Sequence, residues 1–229
     1  MSRSRKLSKE EAFINELEHS LYMINYYKIQ VIKDYLKDFD KYLKERTDEI
    51  QDKIIDWEKS PKESNYSAID YYIEDYTNYN SNFKELKLES VFLSSYSLFE
   101  HFFKTFALSY KNYYNLKLDI DDLSGNNYIN KTKLYLEKVI VLDLSSLNSL
   151  WNKITKYQKI RNKIVHSNSR FNKSDKETIK ELNKMDGIEI NTYGLITMTD
   201  KKFILNFWNL FDEYINEIIE ITKLKINHS

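Results

Sequence analysis

Three glycines and one proline are all that punctuate 229 residues. Turns and strand-rich folds draw heavily on these two residue types, glycine for positive φ and proline for a fixed φ. A chain this poor in both makes few tight reversals. The expected architecture is all-α: long helices joined by a few short connections. Apolar residues make up 41% of the chain, with 19 tyrosines and 12 phenylalanines, so a real core is available and the composition argues against global disorder.

Basic and acidic residues balance at 35 each, for a formal net charge of zero. No whole-molecule field draws the chain to nucleic acid or to a membrane, and any electrostatic argument has to be local. There is no cysteine, which excludes disulfides, thiolate metal sites and cysteine nucleophiles and fits a reducing cytoplasm. The opening MSRSRKLSKEE lacks an apolar core, and no run of apolar residues is long enough to span a bilayer. Neither a leader peptide nor a membrane span is expected.

Residues 8–59 contain neither glycine nor proline, and Ile14, Leu17, Leu21, Ile24, Val31, Tyr35, Phe39 and Leu43 recur at spacings close to the helical period. This predicts one very long helix, or two with a soft break, stopped by Ser60-Pro61-Lys62. The 14–43 pattern fits packing within the chain better than a coiled-coil seam. A tyrosine-dense helix is expected over about 65–80. The strongest helix covers 84–114, where Phe92, Tyr96, Phe99, Phe103, Phe106 and Tyr110 mark a core stripe.

Residues 115–130 read as loop. There Asp119, Asp121 and Asp122 resemble a fragment of a calcium loop, but the required glycine and terminal glutamate do not follow. Helices are expected near 131–142 and over about 145–166, the latter burying Leu147, Leu150, Trp151, Ile154, Tyr157, Ile160 and Ile164. In 187–199, two β-prone runs flank Asn191-Thr192-Tyr193-Gly194, which predicts a small β-hairpin. A last helix over about 200–224 buries Phe203, Phe207, Leu210, Phe211, Tyr214, Ile218 and Ile221. The expected division is an N-terminal helical extension, 1–80, packed on a helical domain, 81–229.

Chemistry concentrates at 158–168, QKIRNKIVHSN, where an amphipathic helix ends in polar loop. Asn162 and His166, four apart, share a helix face, and Arg161 lies about 140° away, within reach of a long side chain. From Leu144 to Ser174 there is no acidic residue. The same window carries Lys153, Lys156, Lys159, Arg161, Lys163, Arg170 and Lys173. In a neutral chain this is a local cationic surface, and a phosphate-bearing polymer is its natural partner. Only five of the 35 basic residues are arginines, so an arginine here suggests a use for its planar fork. A purely structural reading stands beside this one: Arg161 holding a helix carboxylate, His166 closing a helix C-terminus, and the lysines merely solvated. His101 reads as core-edge, His19 and His228 as surface, and no His/Asp/Glu grouping has metal-ligand spacing.

Arg161-Asn162-Lys163-Ile164-Val165-His166 matches the R-x4–6-H motif of HEPN domains, including the polar residue favoured after the arginine, and the earlier SLFEHF helix also resembles that family. The resemblance covers about 84–223. It implies a HEPN-like helical bundle, here with a long N-terminal helix and a β-hairpin before the last helix. It further implies a metal-independent endoribonuclease without cofactor, working as a homodimer with two motifs facing across a two-fold axis. His166 would be the general acid or base, and Arg161 would bind the phosphate and stabilise transition-state charge. Asn162 would orient the histidine or the phosphate, and Glu100, from SLFEHFF, would pair with Arg161. Lys159, Lys163 and Arg170 would bind RNA. The biological role implied is a cytoplasmic toxin or antiphage effector, with an antitoxin or a phage component as trigger. Family toxins silenced by modification continue H-x-Y, whereas this chain reads His166-Ser167-Asn168, which puts that mode of silencing in doubt. Two rivals stay open: a non-catalytic HEPN dimer binding RNA, nucleotide or a protein, and a structural helical protein working through its N-terminal helix.

Overall fold

The computed structural model describes residues 6–59, 66–125, 127–172 and 174–227. The order is α1 Lys9–Ile24, α2 Gln30–Lys59, α3 Tyr66–Thr77, α4 Phe83–Tyr114, α5 Tyr128–Lys138, α6 Asn148–His166, α7 Lys176–Leu182, β1 Ile188–Ile190, β2 Ile196–Met198 and α8 Lys202–Asn227. The fold is all-α, with one small hairpin before the last helix, as the sequence predicts. The expected stop at Ser60-Pro61-Lys62 lies outside the described residues, as do Lys173 and His228. Among the described residues, no helix is long and apolar enough to cross a membrane.

The N-terminal run starts at a capping box: the Ser8 hydroxyl accepts from the Glu11 backbone N–H at 3.0 Å and the Glu11 carboxylate accepts from the Ser8 N–H at 2.9 Å. The soft break is a π-turn, Asn25–Ile29. It adds a residue to the turn and shifts the buried face. Phe13, Leu17, Leu21 and Ile24 are buried before it, Ile29 within it, and Leu36, Leu43 and Ile50 after it. The expected inward register is therefore corrected beyond the break, since Val31 and Tyr35 stand exposed. A second π-turn, Asn78–Asn82, joins α3 to α4.

The chain forms two compact units, each discontinuous in sequence. The first takes the described parts of Met1–Ile29, Ser94–Asn162 and Leu205–Ser229; the second takes those of Gln30–Leu93 and Lys163–Ile204. Each unit draws on residues from both sides of residue 80. Three long helices, α2 excepted, carry this interleaving: α4, α6 and α8 each contribute residues to both units.

The first unit is built round an aromatic knot. Phe207 packs against Tyr96, Phe99 and Tyr157 with ring centroids 5.0–5.7 Å apart. Phe103 meets Trp151 and Tyr214 at 6.1 and 5.9 Å. Offset and edge-to-face geometries of this kind add to the burial of large apolar surface. The expected core stripes of α4 and α8 are buried apart from Ile221, which is half-buried, and Leu150, Trp151 and Ile164 of α6 are likewise half-buried. α5 begins earlier than expected, because Asn127 caps it by accepting from the Asn130 N–H at 3.2 Å. It ends at Lys138, and in the segment that follows Val141 is left-handed and Lys225 donates to the Ile140 and Val141 carbonyls.

The second unit contains an ion triad. Asp40 of α2 receives Lys87, buried on α4, and also Lys201 at 2.8 Å. Burial alone would raise the Asp40 carboxyl, but the bonds from Lys201 and Lys87 outweigh it and hold the group below the usual carboxylate range. The short α7 gave no sequence signal. Seven residues are too few for a periodic pattern, and the helix is fixed by a later contact. The Asn183 side chain accepts from the Ile190 N–H at 2.6 Å and donates to its carbonyl at 2.9 Å, bonding to the backbone of β1 as a neighbouring strand would.

Candidate functional site

Helix α6 carries the motif, and the boundary between the units falls inside it, after Asn162. The arginine end belongs to the first unit. Arg161 lies over the Tyr96 ring, 5.8 Å from its centroid, and forms an ion pair with Glu100 at 3.5 Å. Its guanidinium also donates to the Asn162 side-chain oxygen at 3.1 Å. Tyr96 and Glu100 are four residues apart on α4, one helical turn, so they reach the same guanidinium from one face. Asn162 is exposed, whereas Arg161 and Glu100 keep only a quarter of their side-chain surface in solvent.

The electrostatics follow from that half-burial. Desolvation pushes the Glu100 carboxyl above its ordinary range, and the Arg161 charge beside it opposes the shift without cancelling it. Burial raises the Tyr96 phenol as well. An ion pair at 3.5 Å leaves the guanidinium donors unsaturated, since the fork has five N–H groups. The expected pairing of Glu100 with Arg161 is thus present, and Asn162 joins it. Tyr96, read from sequence as core, is also the arginine's platform. Its i, i+4 relation to Glu100 is the signal that could have found it.

The histidine end belongs to the second unit. His166 closes α6 and is exposed. The Lys163 carbonyl accepts from both the Ser167 N–H and the Ser169 N–H, at 3.0 and 3.1 Å. Asn168 and Ser169 both have positive φ, 49° and 55°, a local cost that a helix exit tolerates when its carbonyls are satisfied. The chain then pairs with the hairpin: the Ser169 carbonyl accepts from the Ile196 N–H at 2.8 Å, and the Phe171 N–H donates to the Gly194 carbonyl at 2.9 Å. Gly194 has φ 79°, and a side chain there would meet the Phe171 carbonyl oxygen at 2.4 Å. The hairpin therefore fixes where the motif's exit runs.

Glu89 was not foreseen. The Ser169 hydroxyl donates to its carboxylate at 3.0 Å. Burial raises that carboxyl; the serine bond lowers it and nearby Glu85 raises it further. Glu89 precedes Glu100 by eleven residues, close to three whole turns of α4, so both fall on one stripe of that helix.

The cationic window is only partly engaged. Lys163 pairs with Asp175 at 3.6 Å and lies over the Phe171 ring. Lys159 and Arg170 are exposed, and among the described residues neither forms an ion pair. Also among the described residues, no group of three His, Asp or Glu side chains is placed to hold a metal ion. Comparison of the chain with protein families, with curated proteins and with solved structures finds no match.

Proposed function

We propose that this protein is a metal-independent endoribonuclease of HEPN type, with Arg161 and His166 as its working pair. The observation that supports the reading best is the held arginine. Arg161 is oriented by Glu100, Asn162 and the Tyr96 face, one and a half turns before an exposed histidine at the helix end. A positioned, half-buried guanidinium suits an anion whose charge grows during reaction, because it reorganises little when that charge appears.

The reaction is a transesterification. The ribose 2′-oxygen bonds to the adjacent phosphorus, and the bond from phosphorus to the 5′-oxygen breaks. One imidazole takes the 2′-hydroxyl proton, and an imidazolium gives a proton to the departing 5′-oxygen. Two protomers, each contributing a His166, would supply both roles at one scissile phosphate. Arg161 would bind the non-bridging oxygens, and Lys159, Lys163 and Arg170 the neighbouring phosphates. The products would be a 2′,3′-cyclic phosphate and a 5′-hydroxyl. The role in this reading is a cytoplasmic toxin or antiphage effector, held in check by an antitoxin or released by a phage component.

The Glu100 ion pair also favours a second reading. An arginine already answered by a carboxylate fits a non-catalytic dimer that binds RNA, nucleotide or a protein partner. Mapping the ends of RNA fragments separates the two. The ribonuclease reading expects cyclic-phosphate ends, and expects a strand with a single 2′-deoxyribose at the cleavage point to survive there. Cutting at that deoxy position would contradict it.

A further inference from the structure

We infer that the hairpin tip and the groove beside it form a platform for single-stranded RNA, seating an unpaired nucleotide next to the cleavage site; this rests on the ribonuclease reading. The groove between α7 and the hairpin is open to solvent and has a volume of about 640 Å³. That is the size range of small-molecule sites. Ile179 and Ile190 give it an apolar lining. Lys176 and Lys180, one turn apart on α7, stand in its wall, and no carboxylate lines it. A flat base suits the apolar part, and its phosphates suit the two ammonium groups.

Beside the groove stands Tyr193, with 70% of its surface exposed. Among the described residues it makes no ring contact. It is nonetheless on a braced loop. The Asn191 side chain accepts from the Tyr193 and Leu195 N–H groups at 2.9 and 3.1 Å, and the Gly194 N–H donates to the Asn191 carbonyl at 2.9 Å. An exposed aromatic held on a rigid turn loses little freedom when a base stacks on it. Such stacking is the general means of gripping single strands, with cations tracking the backbone. Arg170, whose backbone pairs with Leu195 of the hairpin, supplies a third cation.

The platform is also in reach of the chemistry. Arg170 follows His166 by four positions, at most about 14 Å of extended chain. Stacked bases inside an A-form duplex offer no free face to Tyr193, so the platform selects unpaired RNA.

The test uses the full chain with His166→Ala, so that RNA is bound without being cut. A fluorescent short oligouridine, single-stranded or annealed to its complement, is titrated by anisotropy at several salt concentrations. Adding Tyr193→Ala should weaken single-strand binding about 5- to 100-fold, while Tyr193→Phe stays within about twofold. Adding Lys176→Ala with Lys180→Ala should reduce the slope of log affinity against log salt by about 1.4. The duplex should bind more weakly than the single strand. Unchanged affinity in Tyr193→Ala, an unchanged slope in the lysine pair, or equal duplex binding would each overturn the platform. Cleavage by the wild type with unaltered Tyr193→Ala binding sinks the platform and spares the nuclease. Tyrosine-dependent binding with no wild-type cleavage supports the platform and sinks the nuclease.

Discussion

Arg161 of α6 pairs with Glu100 of α4 at 3.5 Å while lying over the ring of Tyr96, one turn earlier on the same helix. A lysine could meet the carboxylate but could not present a planar fork both to Glu100 and to a phosphate. Arg161→Lys should therefore lower RNA cleavage about 100-fold or more, on the scale of losing a transition-state donor. The fold should be retained, and circular dichroism alongside initial cleavage rates would check both.

Glu100 holds the arginine without touching RNA in this account. Glu100→Gln keeps a hydrogen-bond acceptor and removes the charge, so cleavage should fall less than in Glu100→Ala. The pH effect has a definite sign. The carboxyl is raised in the folded chain, so its contribution to stability is complete below the ordinary glutamate range and is lost as pH rises through the folded value. Glu100→Gln should therefore be more stable relative to wild type at neutral pH than at pH near 4. Unfolding midpoints at the two pH values would show it.

Asp40 carries the opposite sign. Its carboxyl is held down by Lys201 and Lys87, so the stability it provides is present above the ordinary aspartate range and is lost as pH falls through the folded value. Asp40→Asn leaves the buried Lys87 charge unanswered. The expected loss is about 2–3 kcal/mol, below that for a fully buried pair because Asp40 is partly exposed. Denaturant unfolding of the two proteins measures it.

The core helices were legible because their aromatic stripes are long and strictly periodic. Phe92, Tyr96, Phe99, Phe103, Phe106 and Tyr110 are all buried. The family resemblance, not spacing, pointed Glu100 to Arg161, and Asn162 meets that arginine as its chain neighbour. What sequence hid depends on a single inserted residue or on distant contacts. The π-turn at Asn25–Ile29 moved Val31 and Tyr35 out of the core, and no local pattern announces such a turn. The seven residues of α7 depend on Asn183 meeting Ile190. Glu89 acquires its meaning only through Ser169, eighty residues later.

Gly194 links the hairpin to the motif's exit. Its φ of 79° and the 2.4 Å approach of the Phe171 carbonyl leave no space for a methyl group. Gly194→Ala should cost about 2 kcal/mol and loosen residues 169–171. Faster hydrogen exchange at the Phe171 amide would report the loosening.

Phe207 sits in the aromatic knot beneath Tyr96. Phe207→Ala should destabilise the protein by about 3–5 kcal/mol, with Phe207→Leu costing much less. Thermal unfolding at neutral pH distinguishes them.

The most direct measurement is cleavage of total RNA in the presence of EDTA by purified wild type and by His166→Ala, with folding of both verified. The account predicts fragments from the wild type alone. Equal cleavage by the two proteins, or none by a folded wild-type dimer, would contradict the assignment of catalysis to Arg161 and His166.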